Sequence, residues 1–419
     1  MVRAEDGRAN SGWSGVCRFI VDQNVPSTPP DINSPEFPNG AGGKPEHTSP
    51  ARTEGSFTFT PGQATGVKKY EYWSEWSQQR VTKDAEADGR LAVRLTPPAA
   101  GPARIYARSL TAGGNPSDVQ TYLFYANTPD IKGVPGDLNG DGNADLYALE
   151  SAGRLRMYAG IGDGTVSKWR EASGLSLAGS LITHRGDWTD NGYEDLVATI
   201  GAKGSRTAHV FPNNGYGYAC SRYEEQAPDA VCTDERRDLR FADQADDHIR
   251  DADQILAVGD VDGGPEEGVP GYPDLFVKEN GLLWLYFGSP SGYLDDNRDP
   301  VLIGEGNWSD FDLASPGDRT GNGFADLMTR HRSTGDLRLL ESTGPSIDGL
   351  GGPAAGTLIG DSWTAANRPL LTAAQDADGD GRPDLWATTG TGGLQFYPNA
   401  TGRGTQVGSG SWEVLSQLS

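Results

Sequence analysis

GDLNGDGNADLYAL, residues 136–149, decides how this chain folds, because versions of it return four more times. They are GDWTDNGYEDLVAT from Gly186, GDVDGGPEEGVPGYPDLFVK from Gly259, GDRTGNGFADLMTR from Gly317 and QDADGDGRPDLWAT from Gln375. Each runs into a second apolar segment: RLRMYAG, TAHVFPN, LLWLYFG, DLRLLES and GLQFYPN. Most also follow an outer segment such as VLIGEGNWSDFDLASPGD or TLIGDSWTAANRPLLTAAQD.

A unit of about 50–60 residues with roughly four short strands is one blade of a β-propeller. Five units predict an all-β, five-bladed β-propeller over residues 129–419. The C-terminal GTQVGSGSWEVLSQLS resembles the opening of a further repeat. It is expected to complete the first blade and so remove an exposed sheet edge; a truncated sixth blade is the alternative.

Upstream, the period changes. Phe57 and Phe59 alternate in SFTFT, Tyr70 and Tyr72 in VKKYEYW, and Leu91, Val93 and Leu95 in RLAVRL. ARIYARSL and TYLFYA follow at short spacing. Period-two alternation broken by Gly and Pro turns predicts an immunoglobulin-like β-sandwich over residues 26–128. It begins with a Pro-rich linker, PSTPPDINSPEFP, and residues 1–25 read as the tail of a preceding module.

Net charge is −23, which disfavours nucleic acid and anionic bilayers as partners. No stretch is long and apolar enough for membrane insertion. MVRAEDGRAN carries no apolar signal segment, so a mature fragment is expected. Of three cysteines, Cys220 and Cys232 are spaced for a small-loop disulfide, with two unpaired thiols as the alternative, and Cys17 is left over.

The ideal loop is D-x-[DN]-x-D-G-x-x-D. Oxygen ligands at alternating positions of a tight turn suit a hard cation, and variable coordination favours calcium. The first loop offers Asp137, Asn139, Asp141, Asn143 through its carbonyl, and Asp145. The fifth offers Asp376, Asp378, Asp380 and Asp384. The second, with Asp187, Thr189, Asn191 and Asp195, and the fourth, with Asp318, Thr320, Asn322 and Asp326, keep two carboxylates each. Hydrogen-bonded turns without metal are an equal alternative for those two. In the third, six extra residues part Asp262 from Asp274, so Asp260, Asp262 and Asp274 are expected to depart from the common geometry. The expected load is about two to five Ca²⁺ ions.

These loops, running into D-L strands, resemble FG-GAP/VCBS repeats of integrin α-subunit propellers, some fungal lectins and many secreted bacterial proteins. MYAGIGDG and LYFGSPSG approach the FG-GAP strand, and the other repeats drift from it. The sandwich resembles the immunoglobulin-like modules that precede such repeats in exported proteins. The resemblance implies calcium, secretion, and a recognition or adhesion role toward an extracellular glycan or protein, within a larger multi-module protein or assembly.

Trp308, Trp363 and Trp412 recur at one place in successive repeats; they pack between blades or stack on sugars. Arg185-Gly186-Asp187 spells an integrin-recognition triplet, but Asp187 is also the first ligand of its loop and should turn inward. The five histidines form no zinc spacing, and no nucleophile elbow or P-loop is present. The expected function is therefore non-catalytic recognition. A polysaccharide hydrolase or lyase, or a purely architectural part, is the alternative.

Overall fold

The computed structural model describes residues 8, 10–12, 24–76, 80–127, 129, 133–219, 236–239, 247–263, 271–290, 293–400, 403–407 and 411–419. Its regular structure is antiparallel strand, with only 3₁₀ turns of three or four residues as helix. No helix among the described residues is long and apolar enough to cross a membrane. The chain divides into two compact units, residues 1–127 and 128–419.

In the first unit, β1 (Asp31–Asn33), β2 (Gly55–Thr60) and β5 (Leu91–Leu95) form one sheet. A second sheet orders β4 (Val81–Asp84), β3 (Lys69–Ser74), β6 (Gly101–Leu110) and β7 (Gln120–Ala126). Alternate residues of both sheets enter one core, including Phe57, Phe59, Tyr70, Tyr72, Leu91, Val93, Tyr122 and Phe124. The Pro-rich stretch is more than a linker. Ile32 buries against that core, so Asp31–Asn33 pairs with Thr58–Thr60 as an edge strand, where flanking prolines are tolerated.

The second unit contains five four-stranded antiparallel sheets among the described residues. The first orders Arg170–Glu171, Leu155–Tyr158, Leu146–Glu150 and Leu415–Leu418. The second orders Ile182–His184, Leu196–Ile200, Thr207–Phe211 and Arg237–Leu239. The third orders Ala252–Gly259, Asp274–Glu279, Leu282–Tyr286 and Val301–Leu302. The fourth orders Phe311–Gly317, Asp326–His331, Leu337–Leu340 and Thr357–Gly360. The fifth orders Leu371–Ala373, Leu385–Thr388, Leu394–Tyr397 and Thr405–Val407. Thr405–Val407, which opens TQVGSGSW, is thus the last strand of the fifth sheet, and Leu415–Leu418 pairs with Leu146–Glu150 of the first.

Strands such as Leu146–Glu150, Leu155–Tyr158 and Leu385–Thr388 are buried along their whole length, so these sheets are covered on both faces. Five apolar seams supply the cover. They join first to second sheet (Met157, Phe211), second to third (Val210, Val277) and third to fourth (Leu285, Leu327). The remaining two join fourth to fifth (Met328, Tyr397) and fifth to first (Phe396, Leu146). Each acidic loop runs into an inner strand of its sheet: Leu146–Glu150, Leu196–Ile200, Asp274–Glu279, Asp326–His331 and Leu385–Thr388.

Candidate metal centre

The first Asp of every loop is a hub for backbone amides. In the first loop Gly140 N–H donates to Asp137 Oδ1 at 2.6 Å and Gly142 N–H to Oδ2 at 3.0 Å. In the fifth, Gly379 and Gly381 do the same to Asp376 at 2.8 and 2.9 Å. In the fourth, Gly321 and Gly323 serve Asp318 at 2.7 Å each. In the second, Asn191 and Gly192 serve Asp187 at 2.9 and 2.7 Å.

The third loop keeps this geometry, against expectation. Gly263 N–H donates to Asp260 Oδ1 at 2.8 Å, and Gly271 N–H donates to Oδ2 at 2.9 Å. Gly271 stands where the sixth loop position would be, so the extra residues fall between two positions that both still serve Asp260. A Cβ at Gly271 would lie 2.5 Å from the Asp260 carboxylate, which is why the position is glycine.

The last Asp of each loop is a clamp. One oxygen accepts an N–H from early in the loop, and the other accepts an N–H at the end of the repeat's second apolar segment. Asp145 takes Leu138 (2.9 Å) and Gly160 (2.8 Å). Asp195 takes Thr189 (2.9 Å) and Asn213 (2.8 Å). Asp274 takes Val261 and Gly288 (2.8 Å each). Asp326 takes Thr320 (2.9 Å) and Ser342 (3.2 Å), and Asp384 takes Ala377 (2.9 Å) and Asn399 (2.7 Å). Gly160, Asn213, Gly288, Ser342 and Asn399 went unrecognised in the sequence, although each is the last residue of its repeat's second apolar segment.

One carboxylate oxygen from each of Asp376, Asp378 and Asp384 lies within 4.8 Å of the others, and so do oxygens of Asp260, Asp262 and Asp274. Oxygens at about 2.4 Å from one ion stand no further apart than this, so both trios fit a calcium shell. Asp380 is outside its trio: its carboxylate accepts from Arg382 N–H and Asn399 Nδ2, both at 2.9 Å. In the first loop Asn139 Nδ2 donates to Asp145 Oδ2 at 2.8 Å, and Asp141 Oδ1 accepts from Asn143 N–H and Nδ2 at 3.0 Å each. In the third, the Arg298 guanidinium pairs with Asp262 while lying 3.4 Å over the Phe287 ring, so an internal cation already occupies part of that site.

The second and fourth loops are closed by hydrogen bonds. Asn191 Nδ2 donates to Asn213 O at 3.1 Å and Asn322 Nδ2 to Ser342 O at 2.8 Å. Their Oδ1 atoms accept from Tyr193 and Phe324 N–H, each at 2.9 Å. These asparagines stand where the first and fifth loops carry Asp141 and Asp380.

Desolvation raises the pKa of every clamp carboxyl. Asp384 is pushed up to about 6, Asp274 to about 7 and Asp195 to about 8; Asp326 rises, and Asp145 lies well above the usual carboxylate range. Backbone donors pull down, whereas Asp137 and Asp141 push Asp145 further up.

Of the two roles open to the three tryptophans, packing is the one their burial serves. Trp308, Trp363 and Trp412 are 0%, 7% and 3% exposed and fill three of the seams. Trp412 stacks on Tyr158 at 4.4 Å and Trp363 tilts against Tyr397 at 4.5 Å. Arg185 of the integrin-type triplet is buried, and Asp187 turns onto its own loop. Cys17, Cys220 and Cys232 lie outside the described residues.

Residues 137–198 match the family model of the FG-GAP-like repeat. That span takes in the first two loops, the strands Leu146–Glu150, Leu155–Tyr158, Arg170–Glu171 and Ile182–His184, and the start of Leu196–Ile200. No curated protein matches the chain. A solved structure, described as "The de novo evolutionary emergence of a symmetrical protein is shaped by folding constraints", is similar at 12% identity over 65% of this chain and 97% of its own, with a TM-score of 0.40. That score is too low to identify a shared fold.

Proposed function

We propose that residues 128–419 form a five-bladed FG-GAP/VCBS-type propeller that binds calcium and serves as a non-catalytic recognition or adhesion module of a secreted protein. The ring would close through Leu415–Leu418, since five seams join each sheet to the next and the fifth to the first. The first unit would be an immunoglobulin-like sandwich acting as a spacer or second docking surface. Its two sheets around one core support this.

The observation that carries the calcium reading is the repeated hub-and-clamp of buried carboxylates, with three acidic oxygens converging in the third and fifth loops. Bound calcium would supply charge compensation there, and Asp260, Asp262, Asp274, Asp376, Asp378 and Asp384 would hold it. The first loop has the same hub and clamp, with Asp141 and Asp137 acting on its last Asp. The second and fourth are hydrogen-bonded turns that need no ion.

Calorimetric titration of the chelated protein should return two or three ions. Chelation should lower the melting temperature by several degrees, as expected when an ion binds only the folded state. Asp376→Ala should remove most of that response, and Asp187→Ala should leave it. Equal effects at both positions, or indifference to chelator, would falsify the metal assignment. For recognition, a glycan array and a pull-down that both stay blank in calcium would overturn the role.

A further inference from the structure

A narrow cavity of about 20 Å³ lies among Ile182–His184, Ala252–Gly259, Phe311–Gly317, Leu371–Ala373 and the residue after Leu415–Leu418. Its wall includes His184 and Arg185 from the second sheet, Ala257 from the third, Ser315 from the fourth, Gln375 beside the fifth, and Ser419 after the closing strand. Two residues there are costly to place. Arg185 is 9% exposed, its guanidinium is desolvated, and its Nη1 is buried with no hydrogen-bond partner. Gln375 has φ +46°, where the other four loops carry Gly136, Gly186, Gly259 and Gly317, all at positive φ. A left-handed non-glycine residue costs about 1–2 kcal/mol and persists where its side chain is held by its surroundings.

Both side chains reach across the cavity. Gln375 Nε2 donates to Ser315 O at 3.1 Å. A Cβ at Gly317 would meet Arg185 Nη2 at 2.9 Å and Gln375 Oε1 at 3.5 Å, so glycine there leaves room for both. The nearest anion, Glu194, is already engaged: His184 Nδ1 is 3.0 Å from its Oε2, and the Gly136 N–H also hydrogen-bonds it. Asp145, the other acid in the wall, directs both oxygens to loop and strand amides. A buried guanidinium with an idle N–H group in a polar pocket calls for an acceptor, preferably a charged one.

We propose that this cavity binds one small monovalent anion, of chloride size, on the Arg185 guanidinium, between strands of several sheets of the second unit. A space of about 20 Å³ suits a single particle near the size of a water molecule or a halide. The ion would contact first strands of several sheets at once, and so stabilise their mutual packing. This site is independent of the calcium reading, because it uses none of the loop ligands as anion donors.

The test uses the full chain at fixed calcium. Melting temperatures are compared in sodium bromide or chloride against sodium gluconate at equal ionic strength. A saturable halide-specific rise of about 2–4 °C is expected, lost in Arg185→Gln. Because that variant could fail to fold, wild-type crystals grown in bromide provide the second measurement: an anomalous peak beside Arg185 Nη1 is expected. Water alone at that point, or an equal halide response in folded Arg185→Gln, overturns the proposal.

Discussion

Gly271 donates its backbone N–H to Asp260 Oδ2 at 2.9 Å across eleven positions of sequence, a bond that in the first, fourth and fifth loops spans five. Deleting Pro265–Pro270 leaves Asp-Val-Asp-Gly-Gly-Gly-Tyr-Pro-Asp, a nine-residue loop of ordinary spacing. The shortened protein is expected to melt within about 2 °C of the parent and to bind the same number of calcium ions, since loop length is a small entropic term. Loss of one ion on titration would show that the insertion itself shapes the site.

Arg298 is a tethered competitor for the third site. Its guanidinium neutralises Asp262, so a metal entering there must displace it or share the carboxylate. The pair is partly exposed, which limits its worth to about 1 kcal/mol or less. Arg298→Gln should raise calcium affinity at that site by roughly threefold to fivefold, read by terbium luminescence or calorimetry. The change should vanish when Asp262→Ala is added. Unchanged affinity in the single variant would mean that the guanidinium does not compete.

The two-residue and fifty-residue periods were legible without coordinates, because each is a spacing in one dimension. Phe57 and Phe59, or Tyr70 and Tyr72, announce their shared face by alternation alone. What the spacing hid was compensation. Gly271 substitutes in three dimensions for a position displaced in sequence, and no count of residues between Asp262 and Asp274 shows that. The clamp donors were hidden differently: Gly160, Asn213, Gly288, Ser342 and Asn399 act through backbone N–H, so their side chains share no chemistry. Arg298 and Arg185 come from outside the repeat consensus or beside it, and only packing brings them to their partners. The strand Asp31–Asn33 was masked by its prolines.

The clamp carboxyls set a pH dependence whose sign depends on calcium. Their folded pKa values lie above the ordinary 3.8, near 6 for Asp384, 7 for Asp274 and 8 for Asp195. A raised folded pKa means that the native state binds the proton more tightly than the unfolded state does. Its stabilisation is complete below pH 3.8 and is lost as pH rises through the folded values. Chelated protein should therefore lose melting temperature from about pH 4 to about pH 8. On the proposed calcium reading the ionised carboxylates would be the ligands, so with calcium in excess the increment due to the ion should grow over the same range. Melting curves in chelator and in calcium across that range check both slopes; parallel curves would dissociate the clamp from the ion.

Arg330 offers a test of the seams apart from the loops. It is 2% exposed, its Nε donates to Asp312 Oδ2 at 2.8 Å, and its Nη1 reaches the carbonyls of Trp363 and Arg368 ahead of the fifth sheet. Lys278, at the same repeat position, likewise reaches Phe311 O of the fourth sheet. Thr199 and Thr388 hold this position in the second and fifth sheets, where their hydroxyls accept from Leu181 and Leu370 N–H at 2.9 and 3.0 Å. The position thus ties the second strand to a neighbouring backbone, with longer cationic side chains where the span is wider. Arg330→Ala leaves the half-buried Asp312 with Arg332 as its remaining ion pair and strips a donor from the Trp363 and Arg368 carbonyls, at an expected cost of about 3–5 kcal/mol. Arg330→Met should recover part of this by restoring volume. Neither variant should alter calcium stoichiometry, so denaturant melts and titration together separate seam from loop. A cost below about 1 kcal/mol for Arg330→Ala would mean that water replaces the guanidinium and the seam holds by apolar packing.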